Sequence, residues 1–369
     1  MQTLHPTLLV GPADWAAQRL PRAEYERRLA QVWIDHPRAG GMIVYGDPRD
    51  HAALAYLTHF TPKLEPAVAL LAKADEPRLL VGGGANMIDA AWPLTFVRDL
   101  VPLRDIGTAV TQWLESLPGD AEIVAVNSDA MPPQPYLSLD RALAARAVRS
   151  GDEHLAARMR IKSACERTLM RDACAMLARG ATALQEAFSR GDAIDKCVLH
   201  GEHAAIQAGA QDVRSLFSVD GGRTLRPFDG TTTSPAGPTP VYLAVRHDGY
   251  WAETVCQLGS VPDVLTQRAQ HIVAMLVSQA RPGLPLAAWH ACVEAERGPF
   301  AIHPVTARSI ARPIGLSLDD QPMCGNGQVL AAGETWALQV GLRDAGHGAF
   351  ATAIIAVTAT GAECLWPLR

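Results

Sequence analysis

The chain has 369 residues, of which 48% are hydrophobic and 19% charged, and its formal net charge at pH 7 is −5. The length predicts two domains, and the composition is typical of a globular protein. The mildly acidic balance excludes a basic footprint for nucleic acid or a polybasic membrane signal, and no apolar run reaches the length of a bilayer span.

The sequence predicts a cytoplasmic location. The first residues, MQTLHPTLLVGPADW, lack the cationic and apolar regions of a secretory signal. The seven cysteines are scattered singly and form no C-x-x-C pair. This pattern favours reduced thiols over disulfides or a zinc knuckle.

Helices and strands alternate along the first part of the chain. Helical periodicity appears in AEYERRLAQVWIDH, HAALAYLTHF and IGTAVTQWLESL. Strands are predicted in GGMIVYGD, PAVALLAKADEPRLLVGG, TFVRDLV and AEIVAVNSDA. The alternation predicts an α/β domain with a central sheet. We place it at residues 1–150, because Ser150, Gly151 and Asp152 interrupt the pattern there.

Residues 151–369 predict a second domain. Helical periodicity continues past residue 151 and returns in AIDKCVLHGEHAAIQAG, TQRAQHIVAMLVSQA and PLAAWHACVEAERG. Strands are predicted in SLFSVDGG, WALQVGLRD and FATAIIAVTATGAECLWPL, whereas TARSIARPIGLSLDDQP is predicted to be loop-like. Residues 224–239 are rich in Gly, Pro and Thr, which indicates a mobile loop over a site.

Residues 237–259, GPTPVYLAVRHDGYWAETVCQLG, predict a β-hairpin with its turn at His247, Asp248 and Gly249. Arg246 and Glu253 add further charge to this otherwise apolar segment. Charged groups are costly in a place built for burial. The hairpin therefore either has one solvated face or lines a site.

Six phrases in order resemble the family of creatinase, prolidase and aminopeptidase P, which has the pita-bread fold. They are VYGDPRDHAALAYLTHFTP, RMRIKSACERTLMRDACAM, GYWAETVCQLG, RPIGLSLDDQP, AAGETWALQVG and VTATGAECL. The resemblance spans nearly the whole chain. It implies an α/β (α+β) fold: a creatinase-like N-terminal α/β domain, then a pita-bread domain with a curved, mostly antiparallel sheet and flanking helices.

The resemblance also implies where a metal centre would lie. The peptidases of this family hold two metal ions with two aspartates, one histidine and two glutamates, and hard divalent ions need such anionic pockets. The matching positions here are Tyr242, Glu253, Arg312, Gln339 and Thr352. Only Glu253 keeps a carboxylate, and the permanent cation of Arg312 would compete with a metal for the same space. We therefore predict no metal site and no cofactor.

Creatinase itself works without a metal ion, using a histidine as acid and base and glutamates that grip a guanidinium. The segment that matches the position of this histidine, SVDGGRTLRPFDG, contains Arg223, Arg226 and Asp229 instead. A glutamate of creatinase matches Gln339. These departures argue against creatine as the substrate.

The candidate roles follow from side-chain chemistry. The predicted catalytic residues are Glu253, His247 and Tyr242, as base, proton carrier and oxyanion donor. The predicted substrate-binding residues are Arg312, Gln339, Arg246, Arg223, Arg226 and Thr352, since arginines suit a carboxylate or phosphate. A structural alternative stays open, in which Glu253 and Arg312 form a salt bridge that replaces the metals. Adjacent Asp319 and Asp320 are better explained as loop or surface residues than as a catalytic pair.

Three functions remain in view. The first is a metal-independent, creatinase-like hydrolase or lyase acting on a small anionic, amino-acid-like or C–N bonded substrate. The second is a binding protein that kept the fold and lost the chemistry. The third is an Xaa-Pro-type metallopeptidase, if the matching of ligand positions is misread. The resemblance implies a homodimer in each case, and neither nucleic acid nor a membrane is an expected partner.

Overall fold

The computed structural model describes residues 14–73, 75–228, 239–259, 263–307, 309–318 and 328–366. Its contacts divide the chain into two compact units, Met1–Met159 and Arg160–Arg369. The domain boundary predicted between residues 150 and 151 falls just before a helix that crosses this division, and it stays a prediction.

The first unit contains a six-stranded sheet with the strand order β4-β3-β2-β1-β5-β6. The strands are β1 Ala39–Gly46, β2 Ala67–Ala72, β3 Arg78–Val81, β4 Asp99–Pro102, β5 Glu122–Val126 and β6 Val148–Ser150. The helices are α1 Arg22–Asp35, α2 Ala52–Thr58, α3 Asn86–Ala91, α4 Ile106–Leu114, α5 Pro133–Leu143 and α6 Asp152–Arg160. Strand β2 is antiparallel to both its neighbours, and the other five strands are parallel.

The core of the first unit lies between this sheet and helices α4 and α5. Strand β1 is buried along most of its length, and its Ile43 and Tyr45 belong to the same apolar cluster as Val110 and Trp113 of α4. Helix α4 begins after Asp105, whose carboxylate accepts the backbone N–H of Thr108 at 2.7 Å. An N-terminal cap of this kind satisfies a backbone donor that the helix itself cannot.

The second unit contains two antiparallel sheets. One has three strands, β7 Asp212–Phe217, β8 Thr239–His247 and β9 Tyr250–Leu258. The other has five, β10 Ala301–Ile302, β11 Ala311–Pro313, β12 Thr335–Arg343, β13 Gly348–Val357 and β14 Ala362–Trp366. The helices are α7 Ala164–Ser189, α8 Ile194–Gln207, α9 Val264–Gln279 and α10 Leu286–Glu296.

Helices cover one face of these sheets. Helix α7 starts with a capping box in which Ser163 and Glu166 each accept the other's backbone N–H. Trp289 of α10 and Trp336 of β12 meet edge to face with ring centroids 5.8 Å apart in an apolar cluster of this unit. The predicted mixed α/β class, with mostly antiparallel sheets and flanking helices in the second part, is confirmed.

Two segments differ from the prediction. The segment expected to be loop-like contains β11, which pairs antiparallel with β12 through Arg312 and Ala337. The strand expected in TFVRDLV begins only at Asp99, as β4, and the buried Thr95 before it donates its hydroxyl to the carbonyl oxygen of Thr58.

Part of the predicted mobile loop, residues 229–238, and the pair Asp319 and Asp320 lie outside the described residues. Across the described ranges, no helix has the length and apolar character needed to cross a membrane.

Candidate functional site

The hairpin of β8 and β9 positions the first two site residues. Asp248 and Gly249 form its turn with φ angles of 46° and 86°, a region that aspartate and glycine tolerate better than most residues. Ala244 lies opposite Glu253 in the ladder, and Tyr242 lies opposite Val255. Tyr242 and Glu253 are therefore diagonal neighbours on one face of the hairpin.

Glu253 is the centre of a buried polar cluster. Its side chain is 1% exposed. One carboxylate oxygen, Oε1, accepts the Nε2 amide of Gln339 at 3.0 Å. The other, Oε2, accepts the Tyr242 hydroxyl at 2.8 Å and the Nη2 of Arg312. We call these four residues, Tyr242, Glu253, Arg312 and Gln339, the Glu253 cluster.

The short strand β11 brings Arg312 into this cluster. Arg312 lies opposite Ala337 of β12, and Gln339 follows two residues later on the same face of that strand. The Arg312 side chain is 24% exposed, in contrast to its glutamate partner. The cluster is therefore anchored by a buried anion and opens to solvent at its cation.

The cluster keeps Tyr242 protonated. Burial is the main cause that raises the pKa of Tyr242 well above its usual range, and the negative charge of Glu253 adds to it. Tyr242 is therefore a neutral hydroxyl donor over the whole physiological pH range. This agrees with the direction of its bond to Glu253.

Thr352, the fifth predicted position, lies beside the cluster. It is directly opposite Gln339 in the ladder of β12 and β13. Its hydroxyl is 2.7 Å from that of Thr254 and accepts the backbone N–H of Val255 at 3.4 Å. Thr352 thus links β13 to β9 next to Glu253, and its hydroxyl is used within the protein.

Two other predicted residues lie near the turn of the hairpin. Arg246 is on the same face as Tyr242 but four residues further along β8, about 13 Å at the usual rise. Its guanidinium covers the Trp251 ring at 5.4 Å and lies 3.8 Å from Asp212. His247 points to the opposite face by strand alternation, and its Nδ1 is 3.3 Å from the carbonyl oxygen of Gly209. Neither geometry brings these side chains together with Glu253.

The remaining two predicted arginines follow β7. Arg223 is exposed, and its Nε donates to the carbonyl oxygen of Asp220 at 3.0 Å. Arg226 forms an isolated antiparallel bridge with Phe217. Both precede residues 229–238, which lie outside the described residues, so their roles in substrate binding stay predictions.

The residues present do not suit a pair of divalent ions. Of the five positions that the resemblance assigns to metal ligands, only Glu253 carries a carboxylate, and its oxygens accept three protein donors. The Arg312 guanidinium places a positive charge against that carboxylate. Over the ranges that the structure describes, there is no group of three or more His, Cys, Asp or Glu residues able to hold a metal.

Solved structures with a similar fold include a prolidase, an X-Pro aminopeptidase and a dipeptidase. The chain is similar to prolidase from Pyrococcus horikoshii, with a TM-score of 0.74, 13% identity, and 93% of this chain and 99% of that one covered. X-Pro aminopeptidase from Thermotoga maritima has a TM-score of 0.74 at 14% identity, with 94% and 98% covered. The dipeptidase PepE from Mycobacterium ulcerans has a TM-score of 0.71 at 20% identity, with 94% and 96% covered.

The predicted resemblance is thus confirmed as a likeness of fold over nearly the whole length of both chains. No protein-family model matches this chain, and no curated protein matches it.

The sequence reading missed the residues that join the two sheets beside the Glu253 cluster. Trp366 of β14 donates its indole N–H to the Thr254 hydroxyl at 3.0 Å, and Thr254 in turn meets Thr352. The alternation of β9 could have placed Thr254 on the face opposite Glu253. Nothing in the sequence pairs it with a residue 112 positions away.

Proposed function

We propose that this protein is a metal-independent, creatinase-like hydrolase or lyase that acts on a small anionic, amino-acid-like or C–N bonded substrate. The observation that carries the proposal is the position of Arg312. Its guanidinium binds the only carboxylate of the Glu253 cluster and still reaches solvent. A fixed cation at the opening of a buried polar cluster suits the carboxylate of a substrate.

The cluster gives each residue a distinct part. Glu253 holds the Arg312 guanidinium in one orientation, and Gln339 holds the other carboxylate oxygen. Tyr242 offers a protonated hydroxyl that can turn from Glu253 to an oxygen that gains negative charge during the reaction. Glu253 would then accept a proton from the substrate or from water.

A second function is favoured by one feature of the same cluster. Both carboxylate oxygens of Glu253 accept donors from the protein, and these contacts have to change before Glu253 can act as a general base. A non-catalytic protein that binds a small carboxylate at Arg312 would keep this arrangement unchanged. The third candidate, an Xaa-Pro metallopeptidase, has no support from the side chains at the matching positions.

One experiment separates the first two functions. Purified chain treated with a chelator is incubated with N-acyl amino acids, Xaa-Pro dipeptides and guanidino acids, and both binding and products are measured, the latter by mass spectrometry. Turnover that is lost in Glu253→Gln supports the hydrolase or lyase. Saturable binding without product supports the binding protein.

A matched pair of variants tests the shared step. Arg312→Met removes the cation, whereas Arg179→Met changes an exposed arginine of α7. We expect carboxylate affinity to fall at least about tenfold in the first, since hydrogen bonds to charged groups contribute about 1.5–3 kcal/mol. Equal affinity in both variants would contradict both functions.

The assembly and location are proposals of the same kind. The resemblance supports a homodimer, and single cysteines support a reducing, cytoplasmic environment. Light scattering of the purified chain tests the first. The proposed domain boundary, residues 1–150 and 151–369, is tested by limited proteolysis, which prefers exposed linkers.

A further inference from the structure

The first unit contains a cavity that the proposed function does not use. It has a volume of about 710 Å³ and lies at the carboxyl ends of the parallel strands β1, β3 and β4. Tyr45, Gly82 and Leu103, at or just beyond those strand ends, line it. In open α/β sheets, ligands bind outside the carboxyl ends of the strands. A cavity of this size can enclose a small organic molecule.

The wall of the cavity is apolar and rigid. Four prolines contribute to it, Pro66, Pro132, Pro133 and Pro135. Prolines have a fixed φ angle, so a ligand that packs on them orders little of the chain. This wall suits a flat or branched apolar group.

Two arginines supply positive charge to the same cavity. Arg104 and Arg141 both line it and are exposed. No hydrogen bond or ion pair connects either guanidinium to another residue within the described part of the chain. Arg158 of the same unit, by contrast, is paired with Asp35 at 2.6 Å. Arg104 and Arg141 remain available to an anionic ligand.

Tyr45 adds a buried polar group. Its side chain belongs to the apolar cluster below α4 and is only 3% exposed. Among the residues that the structure describes, its hydroxyl has no hydrogen-bond partner. Burial raises the pKa of Tyr45, so this hydroxyl stays protonated and can donate. A hydroxyl without a protein partner at a cavity wall is free to donate to a ligand oxygen.

Two carboxylates, those of Asp105 and Glu65, also line the cavity. Asp105 is committed to the N-terminus of α4, where it accepts from Thr108 at 2.7 Å and from the Ser138 hydroxyl at 3.0 Å. Glu65 is exposed, and its Cβ lies close to the backbone of Gly82. The first turn of α5 offers few backbone donors, because Pro133 and Pro135 lack an N–H. Side chains therefore have to bind the anion.

From these contacts we propose that the first unit binds a small apolar acid. The apolar body lies on the proline wall, the acidic group meets Arg104 and Arg141, and one of its oxygens accepts the Tyr45 hydroxyl. Carboxylate and phosphate share this chemistry. None of the residues of this site belongs to the Glu253 cluster, so this proposal does not depend on the proposed function.

The test is a calorimetric titration of the full chain carrying Arg312→Met, so that binding at the Glu253 cluster does not contribute. The probes are 3-phenylpropionate, phenyl phosphate and the neutral 3-phenylpropionamide. We expect saturable binding of at least one acid and an affinity for the amide that is at least about tenfold weaker. The stronger of the two acids identifies the acidic group. No saturable binding of either acid, or equal binding of acid and amide, would overturn the proposal.

Variants locate the site. Tyr45→Phe keeps the ring and should weaken the acid about threefold to tenfold, and Arg104→Met with Arg141→Met should weaken it about a hundredfold. Arg38→Met, at another exposed position of this unit, is the control and should bind as before. Circular dichroism verifies that each variant is folded. Unchanged binding in the double arginine variant would show that the acid binds elsewhere, which would contradict the proposal.

Discussion

Two buried arginine–glutamate pairs, one from each unit, differ in which partner is the more exposed. In the first unit, Arg28 is 0% exposed and donates to Glu24 at 3.2 Å, while Glu24 is 9% exposed. In the second unit, the glutamate of the pair, Glu253, is 1% exposed and Arg312 is 24% exposed. The cation of the first pair, Arg28, is buried, whereas the cation of the second pair, Arg312, is partly exposed.

The surroundings of the two guanidinium groups explain this difference. Arg28 lies over the rings of Tyr25 and Tyr56, 5.1 and 4.2 Å from their centroids, and donates to the carbonyl oxygen of Tyr56 at 2.7 Å. Its contacts are all internal, which is the pattern of a structural pair. Arg312 contacts the buried Glu253 and keeps 24% of its side chain exposed, so part of it can be reached from solvent. A buried ion pair is therefore informative about function only when the exposure of each partner is known.

We expect the largest loss of stability from a substitution that removes Arg28 from the Arg28–Glu24 pair of the first unit. Arg28→Met should lower the free energy of unfolding by about 3 kcal/mol, because it removes one of the two arginines on Glu24, the buried donor to the Tyr56 carbonyl oxygen and two ring contacts. Chemical denaturation measures it. Arg27→Met, whose side chain is 50% exposed and also contacts Glu24, is the matched control and should cost at most about 1 kcal/mol. Equal losses in the two variants would show that Arg28 is not a structural anchor.

A smaller loss of stability is expected when the Arg312–Glu253 pair of the second unit is broken. Glu253→Gln removes the charge that balances Arg312 and should cost about 2 kcal/mol, less than the loss of Arg28 because Arg312 can turn to solvent. Glu186→Gln, at an exposed position of α7, should stay within about 0.5 kcal/mol. A gain in stability from Glu253→Gln would mean that the carboxylate is held at a cost, as in an active site.

Tyr242→Phe removes one donor to Glu253 and leaves the Arg312–Glu253 pair in place. The hydrogen bond to Glu253 at 2.8 Å is lost, and we expect a decrease of about 1 kcal/mol in the free energy of unfolding. Tyr136→Phe, on an exposed tyrosine of the first unit, should be neutral. If turnover is found, Tyr242→Phe should reduce it more than it reduces affinity, because an oxyanion forms only during the reaction.

The smallest effect concerns pH and a histidine of the second unit. Burial lowers the pKa of His303 below its ordinary value of 6.5, and its Nδ1 accepts the backbone N–H of Val305 at 3.2 Å. The unfolded chain therefore takes up the proton at a higher pH than the folded chain. The stability that neutral His303 contributes is complete above about pH 6.5 and is lost as the pH falls.

Unfolding curves between about pH 7 and pH 5 measure this dependence. His303→Gln should make the decline shallower, and His290→Gln, at an exposed position of α10, should leave it as it is. A decline that is identical in wild type and His303→Gln would assign the pH dependence to other groups.

The sequence predicted the fold and the members of the Glu253 cluster for a specific reason. Strands β8, β9 and β12 are long enough to align by phrase, so Tyr242, Glu253 and Gln339 could be matched to neighbouring positions. Arg312 was matched through the phrase RPIGL, although the three-residue strand that carries it has too few residues to show a periodicity.

The sequence could not predict the direction of individual side chains or the contacts between residues that are far apart along the chain. His247 and Arg246 are adjacent to the turn, and strand alternation sends His247 to the face opposite Tyr242. The degree to which Arg312 remains exposed follows from packing around it. The same holds for the ring contacts of Arg28, whose partner Tyr56 is 28 residues away.

We propose that Arg312 and Glu253 occupy positions that the family resemblance assigns to metal ligands. The most direct measurement is the metal content of the purified chain after equilibration with Mn²⁺, Co²⁺ or Zn²⁺ and dialysis. We expect no stoichiometric metal in the wild type. One or two ions retained per chain, and lost in Glu253→Gln, would contradict it.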